Sequence, residues 1–473
     1  MIINKKTKII ATIGPSSDKK EIILRLIDAG MNVARLNFSH GNHETHQEKI
    51  NILKDLIKEG HNISIMLDTK GPEIRSGDFL NDEAHFQEND IVEISMIPQL
   101  GDNKKFSVSY PGLIHDVEVG NLIRFDDGKI SFKVLEKDYQ KQLLRCQALN
   151  SHTIRSRRNC IAPFARISAP FISNSDYDDI VFGCKNNINY IAASFTRRKQ
   201  DILDIKRILK QEDKEFIQII AKIENQEGVD NIDEILDVCD GVMVARGDLG
   251  VEIPPEDVPV VQRMLINKCR KIGKPVIVAT QMLDSMQKNP NPTRAEVSDV
   301  ANAIFEVCDA IMLSGESASG DYPVESVMME AKIAKRIESI LEYHKLAEEA
   351  FSTSTQANND AIAFSVANSA IITSSKLIIA FSESGATSKR IAKYRPKCPI
   401  ISVSTNPRKA KELCLNWGVY GVTMSAIETN REELDNQAMN IAKNAGLIKG
   451  DTFLLTGGNG FGSTNFMKIL IVE

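Results

Sequence analysis

Short apolar runs alternate with amphipathic stretches along most of the chain, with a regular beat. Residues 8–13 (KIIATI) suit a buried strand, closed by Gly14-Pro15-Ser16-Ser17. Asp18 stands where an N-cap would open a helix running to about Ala29, and Gly30 ends it. Residues 33–36 form a second strand, an apolar stripe (Ile50, Leu53, Leu56, Ile57) marks the next helix, and residues 63–67 form a third strand. From about residue 74 to 168 the rhythm changes to short alternating stretches with turn signals at Asn89-Asp90, Pro111-Gly112 and Asp127-Gly128, which reads as an inserted β-rich segment. The earlier beat then resumes. Strands are predicted at 188–193, 216–221, 242–244, 276–279 and 310–313, with helices over about 177–184, 199–209, 228–238, 259–272, 294–307 and 324–343. Eight strand–helix units predict a closed (β/α)8 TIM barrel, with a doubly wound sheet as the rival. A Ser/Thr/Asn-rich patch at 352–359 reads as a linker to a separate α/β unit, whose strands are expected at 377–381, 400–403, 452–455 and 469–472.

The polar residues that follow these strands change the picture from fold to chemistry. The fifth strand leads into Lys222 and Glu224, and the sixth into Arg246, Gly247 and Asp248. Both strands deliver their charges to the same end of a parallel sheet, where barrels keep their sites. A hard cation held by Glu224 and Asp248 beside the Lys222 ammonium suits a phosphate-bearing substrate. The other strand ends add Arg35, Asn37, Ser39 and His40, then Asp68, Thr69, Lys70, Glu73 and Arg75, then Thr280, Ser314 and Glu316. Surface salt bridges among loop charges are the plainer reading of any one of these. Convergence of acids, cations and hydroxyls on one edge favours a site of the phosphoryl-transfer kind.

Composition narrows the class. Hydrophobic content of 42% and a net charge of −5 describe an ordinary soluble enzyme and point to neither nucleic acid nor an anionic membrane. The first residues resemble neither a signal peptide nor a transit peptide. The eight cysteines never form C-x-x-C and fall beside apolar segments, as reduced cytoplasmic thiols do.

Three further signals are weaker. His40, His43 and His46 have a metal-like spacing, but a solvated helix start explains His43 and His46 more simply. The loop Gly457 to Gly462 looks like a dinucleotide loop, yet a strand-like segment follows it and not a helix, so a turn or anion-binding loop fits better. No Walker sequence occurs. Ser382 to Thr387 follows a strand and opens a helix, an arrangement that serves equally as an N-cap or a phosphate cradle.

Seven ordered stretches resemble pyruvate kinase: TKIIATIGPSS (7–17), NVARLNFSHG (32–41), LDTKGPEIRSG (67–77), AKIENQEG (221–228), DGVMVARGDLGVEIP (240–254), ATQMLDSM (279–286) and AIMLSGESASGDYP (310–323). The resemblance implies a barrel A domain (residues 1–73 and 169–345), a β-barrel B domain (74–168) acting as a lid, and a C-terminal α/β regulatory C domain (346–473), with no further phosphohistidine-type domain. It implies transfer of a phosphoryl group from phosphoenolpyruvate to ADP in glycolysis, giving pyruvate and ATP, by a homotetramer; a cytoplasmic location is expected from the absent targeting signals and the cysteines alone.

Residue by residue, Glu224 and Asp248 resemble the ligands of Mg2+ (or Mn2+), and Asn37, Ser39, Asp68 and Thr69 those of K+. Lys222 resembles the residue that stabilises the phosphoryl group in flight and Arg35 the one that grips the phosphate. Gly247, Asp248 and Thr280 match substrate-carboxylate contacts, and Ser314 the proton-delivery network. His40, Arg75 and Arg158 match nucleotide contacts, although Arg158 stands where lysine is usual and Ile161 where asparagine is. Glu73 is the residue carried by potassium-requiring members of the family. Ser382, Ser384, Gly385 and Thr387 match a loop for a sugar-phosphate effector, while the loop before Ser463-Thr464-Asn465 is shorter than usual. A barrel lyase that needs no nucleotide, and a silent protein that keeps only the scaffold, are the competing functions.

Overall fold

The computed structural model describes residues 5–354, 358–428, 430–458 and 464–473. Eight parallel strands close into a barrel: β1 (Lys8–Thr12), β2 (Val33–Asn37), β3 (Ser64–Asp68), β4 (Tyr190–Ala193), β5 (Gln218–Ile223), β6 (Gly241–Ala245), β7 (Val276–Ala279) and β8 (Ala310–Leu313). Closure is made by β1, which pairs with both β2 and β8. The strands are apolar on both faces because both are covered. Ile9, Ala34, Ile65 and Ile219 point outward onto the helices, whereas Ile10, Val33, Met66, Ala192 and Ile220 fill the interior. This alternation fixes which residues face the barrel axis at its C-terminal rim.

The segment inserted after β3 is β-rich, as expected. A seven-stranded sheet comes round on itself: its edge strands Ile74–Arg75 and Lys105–Ser107 meet again through a Ser76–Val108 bridge and a Ser109 N–H to the Arg75 carbonyl (2.8 Å). Phe86, Phe106, Phe125 and Phe132 pack edge to face inside it. The insert touches the barrel where Arg124 bonds the Val251 carbonyl and Arg197 bonds the Ile167 carbonyl.

The C-terminal unit is a five-stranded sheet in the order β11-β10-β9-β12-β13, with β9 Leu377–Phe381, β10 Ile400–Ser404, β11 Val419–Thr423, β12 Thr452–Gly457 and β13 Phe466–Ile471. It sits under the N-terminal end of the barrel. Cys414 and Leu415 join the interior cluster of Ile10, Val33 and Met66, and the Lys411 carbonyl accepts from Ser64 and Tyr190 at the starts of β3 and β4. Among the described residues no helix is long and apolar enough to cross a membrane.

Several expectations need correction. Lys222 lies inside β5, which runs two residues past 221. Arg246–Glu252 is a short helix that was not expected after β6; it buries Leu249 completely. The helix over 228–238 is two pieces: Gln226–Asp230, capped by Asn225 through Gly228 N–H (2.8 Å), and Ile232–Val238; the break falls at Asn231, whose side chain donates to the Arg197 carbonyl (3.0 Å). Asp18 is not a cap: Ser17 closes the turn onto Gly14 (2.8 Å) and the helix Lys20–Ala29 starts later. The helix begun at 323 stops at Glu338, whose carboxylate takes the Lys6 and Thr7 N–H groups and whose carbonyl takes the Tyr343 hydroxyl. A second helix, Tyr343–Ser352, begins where the predicted helix would end and reaches the predicted linker; residues 355–357 lie outside the described set. The strand β11 was not foreseen.

Candidate active site

The alternation that puts Ile10, Val33, Met66, Ala192, Ile220 and Met312 inside the barrel puts Thr12, Arg35, Asp68, Ser194, Lys222 and Ser314 two residues further, on the same face at the rim. They meet there. Arg35 Nε donates to Asp68 Oδ2 (2.6 Å) and its Nη1 to Thr12 Oγ1 (2.8 Å). Lys222 Nζ donates to Asp68 Oδ1 (3.0 Å) and to Ser194 Oγ (2.7 Å), and lies 3.0 Å from Glu224 Oε1. The other oxygen, Glu224 Oε2, accepts the Phe195 N–H (2.5 Å). Arg35, Asp68, Lys222 and Glu224 are all buried.

Burial penalises every charge in this cluster, and the neighbours decide the outcome. Against burial, Arg35 and then Lys222 hold the Asp68 carboxyl below its usual range. Burial pulls the Lys222 ammonium down, but Asp68 and Glu224 outweigh it and push the ammonium above its ordinary value, so it stays charged. Glu224 is raised to about 7 by burial despite Lys222, with the Asp248 carboxylate adding to the rise. Asp248 is raised too, first by burial.

These two carboxylates are the observation that bears on a divalent cation. Glu224 Oε1 is buried and accepts no hydrogen bond, and both groups are costly as bare anions. Two hard oxygens with substrate oxygens or water completing the shell suit Mg2+, so the residues fit such an ion. Among the described residues no three His, Cys, Asp or Glu side chains gather as a metal site. Asn37 and Asp68 are register partners on β2 and β3, which sets the four oxygens expected around K+ on adjoining strand ends with Ser39 and Thr69. They too are hard oxygen donors.

The remaining expected residues fall in three places. Gly247 N–H donates to Thr280 Oγ1 (2.8 Å), so two expected carboxylate contacts hold one another, with Thr280 at φ +69°. Arg246 turns away to Asp299 (2.7 Å) and the Thr280 carbonyl (2.8 Å), and so anchors that strained turn. A cleft of about 900 Å³ is lined by Arg35, Asn37, His40 and Ser314; a second of about 420 Å³, between insert and barrel, is lined by Glu73, Ile161 and Asp248. On the insert, Arg75 bonds Glu73 (2.9 Å) and the Arg157 carbonyl (2.8 Å), and Arg158 lies 3.6 Å from Asp126. Ser382, Ser384, Gly385 and Thr387 gather before and within the helix Ala386–Lys393, in the C-terminal unit and away from the rim; Thr387 N–H reaches Ser382 Oγ (3.3 Å). Gly457 ends β12, and residues 459–463 of the glycine-rich loop lie outside the described set.

The solvated-helix reading of the histidines is overturned for His46. It is buried, stacks on Phe38 at 4.0 Å, and bonds the His40 carbonyl (2.9 Å). Half-exposed His43 pairs with Asp179 (2.6 Å). Thr12 and Ser194 were not singled out from the sequence. Both carry the same signal as Arg35 and Lys222, a polar residue on the inward face just above the last apolar layer.

The chain as a whole is similar to known proteins of one family. The family profile "Pyruvate kinase, barrel domain" matches residues 4–327, and "Pyruvate kinase, alpha/beta domain" matches residues 360–470. The pyruvate kinase of Geobacillus stearothermophilus is 48% identical over 476 residues, covering 100% of this chain and 81% of that protein. That of Staphylococcus haemolyticus is 46% identical over 472 residues, covering 99% and 80%. The crystal structure of a pyruvate kinase from Cryptosporidium parvum superposes with a TM-score of 0.93 at 39% identity, over 99% of this chain and 97% of that one.

Proposed function

The chain belongs to the pyruvate kinase family of phosphotransferases, and from that premise we propose that it moves the phosphoryl group of phosphoenolpyruvate to ADP, yielding pyruvate and ATP in cytoplasmic glycolysis with Mg2+ and K+. The observation that carries the reading is the buried Lys222 ammonium, 3.0 Å from both Asp68 and Glu224, with Arg35 on the far side of Asp68.

Arg35 and Lys222 bind the phosphoryl oxygens and meet the charge that spreads over them in the transition state. Glu224 and Asp248 hold the divalent cation, which supplies Lewis-acid charge when bound. Asn37, Ser39, Asp68 and Thr69 hold K+. Gly247, Asp248 and Thr280 orient the substrate carboxylate. A β-phosphate oxygen of ADP attacks phosphorus in line, one P–O bond forms as the P–O bond to the enol oxygen breaks, and the enolate then takes a proton at its methylene carbon through the network of Ser314. His40, Arg75 and Arg158 bind the nucleotide, with residues 74–168 closing over it. The same premise carries a homotetramer and a sugar-phosphate site at Ser382, Ser384, Gly385 and Thr387, which sedimentation and effector titration test.

The deciding assay follows pyruvate release from phosphoenolpyruvate with and without ADP, in potassium and in sodium. Release that needs both ADP and potassium is expected. Release without ADP, the phosphoryl group passing to water, would make the protein a phosphatase that needs no nucleotide, equal rates in sodium would remove the K+ site, and no release in any condition would overturn the reading.

A further inference from the structure

Ser194 is the first residue beyond β4, two positions after the inward-facing Ala192, and its side chain is buried. Its Oγ lies 2.7 Å from Lys222 Nζ, 2.6 Å from the Thr69 carbonyl and 3.1 Å from Asp68 Oδ1. A hydroxyl has one proton to give, and the ammonium has only protons to give. Lys222 therefore donates to Ser194, and Ser194 passes its own proton to an oxygen of the β3 end, the Thr69 carbonyl being the nearer. Thr69 returns the contact by accepting the Ser194 N–H on Oγ1 (3.1 Å). The hydroxyl is thus pinned to backbone before it meets the lysine.

An ammonium carries three N–H donors on a flexible four-carbon stem. Two of them are taken, by Asp68 Oδ1 and Ser194 Oγ. The third has no aligned acceptor, because Glu224 Oε1, although 3.0 Å away, accepts no hydrogen bond. Two fixed donors determine where the third points. Asp68 alone leaves the ammonium free to swing about a single contact, between two carboxylates of like charge. The neighbouring backbone holds the arrangement: Phe195, at φ +54°, aims its N–H at Glu224 Oε2, and Gly71, at φ +73°, lets the β3 loop pass so close that a Cβ there would lie 3.0 Å from that of Ser194.

We propose that Ser194 is a positioning residue for the phosphoryl transfer: anchored on Thr69, its hydroxyl fixes the Lys222 ammonium so that the third N–H faces the phosphoryl group. This rests on the function proposed above. The test uses S194A, which removes the hydroxyl, and S194C, which fills the same space with a slightly larger thiol that bonds poorly, in the full-length protein. Both variants are expected to lose about 10–100-fold in kcat, with the KM for ADP within about threefold of the parent, as for removal of one hydrogen bond to a charged group. Crystal structures of both are expected to show Nζ displaced by about 1 Å, a shift of the size that disrupts catalytic alignment. A side chain that merely fills space would leave S194C at the parent's kcat with Nζ unmoved, and either result overturns the proposal. Should the parent itself release no pyruvate, the proposed reaction fails, while the position of Nζ in S194C still decides the role of Ser194.

Discussion

At the scale of single residues, the site is a problem in charge balance. Lys222 is worth burying only because Asp68 and Glu224 surround it, and Asp68 only because Arg35 and Lys222 share it. Lys222→Met removes the central cation and keeps the bulk. Turnover is expected to fall by about 10²–10³-fold, the range seen when one preorganised charge-stabilising group is lost. Steady-state kinetics with phosphoenolpyruvate and ADP check this, and near-normal turnover would remove Lys222 from the mechanism. Much of the cluster was legible, because Arg35, Asp68, Lys222 and Glu224 stand at the ends of apolar runs. The alternation of inward and outward positions carried more than was taken from it. Counting in twos from Ile220 reaches Lys222 as a residue of β5 itself, and counting from Ala192 reaches Ser194. The partners of each charge were not legible, since the contact between Lys222 and Asp68 joins strands 154 residues apart.

At the scale of elements, the apolar period found the barrel strands but missed β11 and the places where polar contacts overrule it. The helix Arg246–Glu252 has one fully buried residue, Leu249, too little for a stripe to show. The helix His43–Lys58 was read correctly as a helix but wrongly as solvated at His46, because histidine has no fixed polarity. His46 donates through Nε2 to the His40 carbonyl, and its Nδ1 is buried without a partner. A second proton would have nowhere to bond. Burial accordingly outweighs the His40 contact and lowers this imidazole to about 4, from an ordinary 6.5. Between these values the unfolded chain binds the proton and the folded one does not, so stability is full above pH 6.5 and declines as pH falls toward 4. The decline due to this group is about 3 kcal/mol at most. His46→Gln keeps a donor for His40 and cannot titrate. Denaturant midpoints of the two proteins are expected to converge as pH drops from 7 to 4.5. Parallel curves would show that the folded and unfolded chains bind the His46 proton alike, and that burial does not lower it.

At the scale of the whole molecule, the C-terminal unit closes the barrel floor, although the chain reads as a barrel and a separate unit joined by a linker. The docking was hidden because its members are scattered. Gly418 N–H bonds the Lys6 carbonyl (2.8 Å), Lys8 lies 3.6 Å over the ring of Tyr420, and Leu415 enters the interior cluster. At the centre, Arg395 grips Asp309 through both guanidinium ends (3.1 and 2.9 Å) and also holds the Val307 carbonyl (2.8 Å). Asp309 immediately precedes β8 and accepts the Trp417 N–H (3.0 Å), so one carboxylate ties the barrel floor to two parts of the C-terminal unit. All of this pair is buried, and losing one partner of such a pair leaves an uncompensated charge. Arg395→Met is expected to lower the unfolding free energy by about 3–5 kcal/mol. Because Asp309 also fixes Trp417, amide exchange across residues 413–420 should accelerate while that of β4 and β5 near Lys222 changes little. A loss under about 1 kcal/mol with unchanged exchange would mean that the unit is held by its apolar contacts alone.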